Sequence, residues 1–457
     1  MAAGVAGLAG GVEGRGRRWP VGFVAGFALV ALAFLYELHQ HLGTAGDFWT
    51  FWAAARALSA GLSPYHLANL AAVAGPLPHP RPGPFLSPIF VAQLMAPLGA
   101  LPFDAARLVW LGISLLCAAL TLVLLLRLGG VALGAAALSA GLVLCMAFQP
   151  LSFTLWLGQT DTIVVAAVAV GWYAIQRGRP LLGGLAASLA AVDPHLLAGL
   201  GVYLLFRAVA RRDRLPLAGF AIGGVLALGL CWLHPAMTTY WLRVTLPHAQ
   251  AAAIEPWDTL NWLQAWSELL GPRLAVWPTL ALDVALTLLA LRLWTRVDAT
   301  PARDLAVVAV WTLATTTFAY NQDYTLLLLA APFFLARWRA AGSETRTGWL
   351  AFTLAVGYAL SALTGGPVPL RHAGFVLLVP VVALAAVCAL PPVRARLKSG
   401  YGAWAVAWVV ATWVGYAVFS VAGGARWPSL LLLCGLVAFL AALWRWDVER
   451  TAAAGAA

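Results

Sequence analysis

The aspartate of an aromatic-rich segment is the side chain best suited to acid–base chemistry in this sequence. The segment 46–58 reads GDFWTFWAAARAL, and its aspartate is Asp47. A carboxylate can take the proton of a hydroxyl nucleophile as a general base. It can also cap the first free N–H groups of a helix, and the two roles can coexist. Apolar residues at helical spacing predict a helix with one apolar face, formed by Phe48, Phe51, Trp52, Ala55 and Leu58.

Further polar side chains border or interrupt apolar segments, where they can bind a polar substrate. These candidate substrate-binding residues are Tyr65, Gln159, Asp161, Asp193, His195, Asn321, Gln322 and Asp323. Asp193 and His195 flank Pro194 between two short apolar pieces. Ionisable side chains are tolerated in such a place only where they contact water or a polar side chain. Asp161 is also explained as a helix-start charge. Residues 321–323 are also explained as the polar turn of a hairpin.

Basic side chains in the predicted outer loops, on the same side of the membrane as Asp47, could bind a phosphate through charged N–H donors. The candidates are Arg56, His79, Arg81, Arg371 and His372. Arg371 and His372 stand at the start of an apolar run, where an anchor to lipid headgroups is the alternative role. Arg56 lies more than two helical turns from Asp47, and we expect it to face lipid.

The sequence predicts no metal and no other cofactor. It has no ATP-binding loop, dinucleotide fingerprint or HExxH motif, and no D-x-D pair in a predicted outer loop that could hold a metal. Five cysteines stand far apart without a CxxC pair, which argues against a disulfide framework or a zinc site. Any reaction must therefore use a substrate that arrives already activated.

The composition indicates a membrane protein. Hydrophobic residues make up 62% of the 457 residues and charged residues only 10%, whereas soluble domains carry about 25% charged residues. This excludes a soluble enzyme, a disordered protein and a nucleic-acid-binding protein, despite a net charge of +11. We expect an all-α polytopic integral membrane protein. Arginine in place of lysine, with abundant alanine and glycine, is typical of a GC-rich bacterial genome.

Apolar runs predict about 12 to 14 transmembrane segments, since a span needs about 20 apolar residues. The predicted spans are 21–38, 104–127, 131–148, 159–175, 216–234, 273–295, 303–320, 324–340, 348–365, 372–390, 401–423 and 427–446. The pieces 181–192 and 195–206 are too short for an easy span and predict a broken hairpin with Pro194 at its apex. Segment 86–101 is short and bounded by prolines, so the sequence does not decide whether it crosses the membrane.

A cytoplasmic N-terminus places most of the 28 basic residues on the cytoplasmic side, as the positive-inside rule requires. Two long loops then face outward, 39–103 and 235–272, and the helix that begins near Asp47 is expected to lie in the membrane interface. The predicted organisation is a cytoplasmic tail at 1–20, a catalytic membrane module at 21–340, additional helices at 341–446 and a second cytoplasmic tail at 447–457.

Over roughly residues 20–340 the chain resembles glycosyltransferase family 87. The shared elements are D-F-x-x-(Y/F)-W-x-A-A-R-A at 47–57, G-x-x-P-Y at 61–65, an apolar segment ending in L-P-F at 101–103, LGQ at 157–159, RGRP at 177–180 and YNQDY at 320–324. The chain departs from the family in two places. It has Ser87-Pro88 where a Tyr-Pro-Pro triplet is common, and Asp193-Pro194-His195 where Lys-Pro is usual.

The resemblance implies a GT-C-type helical bundle in a bacterial inner membrane, with its active site on the extracytoplasmic face. It implies a polyprenyl-phosphate-sugar donor, with mannose as the sugar, and a lipid or glycan acceptor. The family's general base maps onto Asp47, and a single displacement with one base inverts the anomeric configuration. Two rival functions stay open: a transporter or flippase of lipid-linked sugars, and an oligosaccharide ligase.

Overall fold

The structure is a computed structural model that describes residues 46–75, 84–134, 148–247, 262–296, 300–316 and 319–340, with single positions between 135 and 147. These residues form helices and turns without a β-strand, which confirms the all-α class for this part of the chain. The α-helices are α1 (Gly46–Ser59), α2 (Leu67–Ala74), α3 (Ile89–Leu94), α4 (Ala96–Gly99), α5 (Phe103–Leu128), α6 (Gln149–Leu157), α7 (Asp161–Gln176), α8 (Pro180–Ala187), α9 (Ala198–Ala210), α10 (Leu215–Trp232), α11 (Pro235–Tyr240), α12 (Trp262–Leu270), α13 (Pro272–Thr295), α14 (Pro301–Thr315) and α15 (Ala331–Ala340). The 3₁₀ segments are Ser188–Val192, Pro194–Leu197 and Asn321–Ala330, and Trp241–Thr245 is a π-helical turn.

Within the described residues, helices α5, α10 and α13 are long and apolar enough to cross a membrane, judged by length and composition. They coincide with the predicted spans 104–127, 216–234 and 273–295. Proline stands in the first turn of α10 and of α13, where its missing N–H costs no hydrogen bond. Large apolar side chains of α10 remain exposed, as expected of a surface that contacts lipid.

Other predicted spans are shorter or differently built. Helices α7 and α14 have 16 and 15 residues, so neither reaches the length of a typical span on its own. The predicted span 324–340 is divided between a 3₁₀ segment and α15. Predicted spans 21–38, 348–365, 372–390, 401–423 and 427–446 lie outside the described residues, as does most of 131–148.

Helix α1 is buried on both faces, which corrects the prediction of a helix with a single apolar face. Its position in the membrane interface stays a prediction. Residues 48–55 and Ala57 are all buried, so both faces of α1 pack against neighbouring helices. The Trp52 indole donates a hydrogen bond to the carbonyl of Leu101 at 3.0 Å. The alanines of α1 are small and allow the close approach of α4. A Cβ built at Gly99 would lie 2.9 Å from the Cβ of Ala55.

Segment 86–101 contains the short helices α3 and α4, of six and four residues. Neither can cross a membrane, because a span needs about 20 residues. The second predicted outer loop, 235–272, also differs from expectation. It begins with α11 and a π-helical turn and ends with α12, so it is largely helical where it is described.

The predicted broken hairpin is confirmed. After α8 the chain forms two 3₁₀ segments separated by Asp193, and then continues as α9. Helix α8 packs closely on α7, because a Cβ built at Gly183 would lie 2.6 Å from the carbonyl oxygen of Gly171. It approaches α10 as closely, since a Cβ at Gly184 would lie 1.9 Å from the carbonyl oxygen of Pro216. Such contacts between small residues let membrane helices approach at backbone distance.

Candidate active site

A tight turn between α6 and α7 positions the polar residues of the site. Gly158 ends α6 in the left-handed conformation, with φ at 74°. Its carbonyl oxygen accepts a hydrogen bond from the indole of Trp110 at 2.8 Å. A Cβ at this position would lie 2.6 Å from the Cβ of Phe48, so no larger residue fits without displacing α1. The turn therefore holds the start of α7 against the start of α1.

Gln159 joins this turn to Asp47. Its side-chain amide donates a hydrogen bond to Asp47 Oδ2 at 2.8 Å, across 112 residues of sequence. Asp47 is only partly buried, and it lies in the first turn of α1 beside the fully buried Phe48. The carboxylate is thus oriented by an amide donor and still partly accessible, as a general base that meets a substrate must be.

Thr160 connects the same turn to the hairpin apex. Its hydroxyl donates to Asp193 Oδ2 at 3.3 Å, and the other oxygen of Asp193 lies 2.7 Å from Nδ1 of His195. The second ring nitrogen of His195, Nε2, lies 2.9 Å from Oδ2 of Asp323. That oxygen also accepts the backbone N–H of Tyr320 at 2.7 Å. Each nitrogen of the imidazole therefore faces a carboxylate.

Asp161, the next residue, is almost completely buried at 1% exposure. Neither of its carboxylate oxygens accepts a hydrogen bond from any donor among the described residues. Its carboxyl group lies in hydrogen-bonding range of the Asp323 carboxyl group and close to Asp193 and His195. Three consecutive residues thus contact acidic side chains from separate parts of the chain. Gln159 contacts Asp47, Thr160 contacts Asp193, and the Asp161 carboxyl group lies beside that of Asp323.

The site is strongly acidic. In the described part of the chain, His195 is the only basic side chain that forms an ion pair with Asp193 or Asp323. Asp193 is 20% exposed, whereas Asp323 is 2% exposed, so the group is open to its surroundings on the side of the hairpin apex. The arrangement offers a partly buried carboxylate, that of Asp47, for proton transfer and, beside it, a group of three carboxylates and an imidazole of which Asp161 and Asp323 are buried.

Two predicted site residues lie in supporting positions away from this turn. Arg56 does not face lipid: it donates to the carbonyl oxygens of Val73 at 3.1 Å and Gly99 at 3.2 Å, and its guanidinium lies over the Trp52 ring. The Tyr65 hydroxyl donates to the carbonyl of Ser87 at 3.2 Å, and burial raises the pKa of this phenol above its usual value. Both side chains fix the fold of the first loop.

The predicted turn at 321–323 is instead the first turn of a 3₁₀ helix, with only Asp323 in the acidic group. The side chain of Gln322 is buried, and its backbone carbonyl accepts from the hydroxyl of Thr154 at 3.4 Å. The side chain of Asn321 lies outside the description, as do the predicted phosphate-binding residues His79, Arg81, Arg371 and His372.

Sequence reasoning missed Thr160 and Tyr320, which both hold carboxylates of the site. Thr160 stands between two residues that were singled out, so its position was a usable signal. Tyr320 acts through its backbone N–H, and a backbone donor carries no sequence signal at all.

A comparison with models of known protein families matches residues 85–273 to glycosyltransferase family 87. The matched region includes the turn 158–161 and the hairpin apex, whereas Asp47 and Asp323 lie outside it. No curated protein and no solved structure matches the chain. Of the motifs that carried the resemblance, those at 101–103, 157–159 and 177–180 lie inside the matched region, and those at 47–57, 61–65 and 320–324 lie outside it. The match agrees with a helical fold that can cross a membrane. Over residues 85–273 the chain is therefore identified as similar to glycosyltransferase family 87.

Proposed function

We propose that this membrane glycosyltransferase transfers a hexose, mannose, from a polyprenyl-phosphate donor to a lipid or glycan acceptor, on the extracytoplasmic face of a bacterial inner membrane. The proposal extends the family match and assumes that the helices adopt a GT-C-type arrangement. The observation that carries it is Asp47, a partly accessible carboxylate held by the Gln159 amide at 2.8 Å beside a buried polar group.

Asp47 acts as the general base in a single displacement. Its carboxylate takes the proton of the acceptor hydroxyl while that oxygen bonds to the anomeric carbon of the sugar. The bond from the anomeric carbon to the phosphate oxygen breaks, and polyprenyl phosphate leaves with the bonding electrons. Because attack and departure occur on opposite faces, the anomeric configuration inverts. Retention would require a second carboxylate as nucleophile, about 5 Å from the first.

The departing phosphate needs positive charge or N–H donors close by. The sequence offers Arg371 and His372 at the start of an apolar run, and His79 and Arg81 in the first predicted outer loop. We propose that some of these side chains bind the phosphate at headgroup depth. Arg56 is not included, because its guanidinium already serves two backbone carbonyls.

The test is transfer by the purified full chain in detergent, supplied with several radiolabelled polyprenyl-phosphate sugars and a membrane lipid extract, with products identified by mass spectrometry. We expect Asp47→Asn to lower transfer by about 10²- to 10⁴-fold, the usual contribution of a general base. Asp104→Asn is the matched control, because Asp104 also lies in the first turn of a helix but is exposed. Wild-type turnover in Asp47→Asn would remove Asp47 from the mechanism.

The same preparation distinguishes the proposed transfer from the two rival functions. A flippase would move labelled lipid between the leaflets of a proteoliposome without changing the sugar linkage. An oligosaccharide ligase would transfer an intact lipid-linked oligosaccharide and leave the monosaccharide donors unused. Either result would overturn the proposed hexosyl transfer.

A further inference from the structure

Asp161 is the least satisfied acidic side chain of the site. It is 1% exposed, and no donor of the described residues reaches either carboxylate oxygen. The neighbour in hydrogen-bonding range is the carboxyl group of Asp323, which is itself an acceptor when ionised. Burying one carboxylate against another is costly unless positive charge compensates for both. A protonated His195 offsets one of the three carboxylate charges, so the group needs a further cation or a shared proton at this point.

The neighbours of Asp161 already have the spacing of metal ligands. Asp193, His195 and Asp323 each offer one ligand atom, and these atoms lie within 4.8 Å of one another. The 2.9 Å between His195 Nε2 and Asp323 Oδ2 is close to the about 3.0 Å that separates adjacent ligands in an octahedral shell with bonds of about 2.1 Å.

We propose that Asp161, Asp193, His195 and Asp323 form a binding site for one divalent cation. His195 Nε2 and the carboxylate of Asp323 bind the ion directly, and the carboxylate of Asp161, which has no donor among the described residues and lies beside that of Asp323, supplies a further ligand. Asp193 accepts the Nδ1 proton of the ring and so fixes its tautomer and orientation, as carboxylates commonly do for metal-binding histidines. Thr160 holds the remaining oxygen of Asp193.

The ligand chemistry favours Mn²⁺ or Mg²⁺. Carboxylate oxygens are preferred ligands of both ions, and in this group they outnumber the single imidazole nitrogen. The exposed side of Asp193 gives the ion a route to water and leaves positions for water or substrate oxygens. The sequence contains no motif for this site, because its ligands come from α7, the hairpin apex and the 3₁₀ segment after α14. The sequence-based expectation of no metal stays a prediction that the following experiment tests.

The proposed ion lies next to the proposed base, and this part of the inference rests on the proposed function. Gln159 binds Asp47 and is followed directly by Thr160 and Asp161, so the base and the cation site share one rigid turn. A divalent cation there would neutralise the charge that develops on the departing phosphate. Ion binding itself requires no substrate, so it can be measured separately from transfer.

The experiment uses the full chain in detergent, stripped with EDTA and then titrated with Mn²⁺ alone. Electron paramagnetic resonance of free Mn²⁺ should show one ion bound per chain. The bound ion should show hyperfine coupling to one imidazole nitrogen, and its binding should raise the thermal unfolding midpoint. Asp161→Asn and His195→Gln should each weaken binding at least ~10-fold, and Asp193→Asn, which loses the orienting carboxylate, ~10- to 100-fold. In His195→Gln the nitrogen coupling should disappear.

Asp104→Asn and Asp47→Asn are the controls, and both should bind Mn²⁺ as the wild type does. Absence of bound Mn²⁺ in the wild type, with an unfolding midpoint insensitive to EDTA and Mn²⁺, would overturn the cation site in favour of a proton shared by Asp161 and Asp323. Should an Asp161 variant fail to fold, the wild-type stoichiometry and the nitrogen coupling still decide the question. Bound Mn²⁺ with no hexose transfer from any donor would support the site and refute only the proposed function.

Discussion

The hydrogen bond between Gln159 and Asp47 predicts a specific loss of activity. Replacing Gln159 by Ala removes an amide donor that lies 2.8 Å from Asp47 Oδ2. A hydrogen bond to a charged group contributes about 1.5–3 kcal/mol. If the bond holds the base in its productive orientation, the same free energy is lost from the transition state. We therefore expect kcat/KM to fall ~10- to 150-fold, with little change in expression.

A double-mutant cycle identifies the route of this effect. Because Gln159 is expected to act through the Asp47 carboxylate, Gln159→Ala should cost almost nothing further in an Asp47→Asn background. The assay is the transfer of a radiolabelled hexose by purified variants, with thermal unfolding measured in parallel. Gln176→Ala provides a control, since Gln176 is an exposed glutamine at the far end of α7, the helix that follows the turn containing Gln159. Additive losses in the double variant would refute the idea that Gln159 orients the base.

Three further substitutions test how the fold supports the site. Gly158→Ala forces a side chain into a left-handed conformation at about 1–3 kcal/mol and drives a Cβ against Phe48. Both the unfolding midpoint and kcat/KM should fall, and unchanged values would contradict the proposed role of this turn. Gly184→Ala places a Cβ 1.9 Å from the carbonyl of Pro216, so it should lower thermal stability and yield of folded protein, which size-exclusion chromatography will report. Arg56→Ala removes hydrogen bonds to two backbone carbonyls and should lower the free energy of unfolding by ~1–3 kcal/mol. The kcat per folded molecule should stay near that of the wild type. A selective loss of binding of the sugar donor would show instead that Arg56 contacts the substrate.

The sequence predicted the long helices and the individual polar residues, because both signals are local. An uninterrupted apolar run of about 20 residues predicts a span wherever it occurs, and α5 matches its prediction within one residue at each end. The broken hairpin was also predictable, because Pro194 and two charged neighbours interrupt an apolar stretch. The turn 158–161 contained two of the predicted site residues.

The grouping of these residues could not be predicted, because it depends on contacts between distant segments. Asp47 and Gln159 are 112 residues apart, and His195 and Asp323 are 128 apart. The burial of α1 was missed for a related reason. Alanines carry little polarity signal, and only the close approach of α4 shows that the second face of the helix is covered.

The acidic group has a consequence for biogenesis. Asp161 and His195 enter the membrane early in synthesis, whereas Asp323 follows only after α13 and α14 have been made. Until the segment containing Asp323 has been made, Asp161 and His195 are not covered by it and remain accessible to water or to the insertion machinery. A nascent chain that stops after α13 should therefore be recognised as unfinished by quality-control proteases, although the whole turn 158–161 is already made. Completion of the acidic group thus coincides with folding of the last described helices.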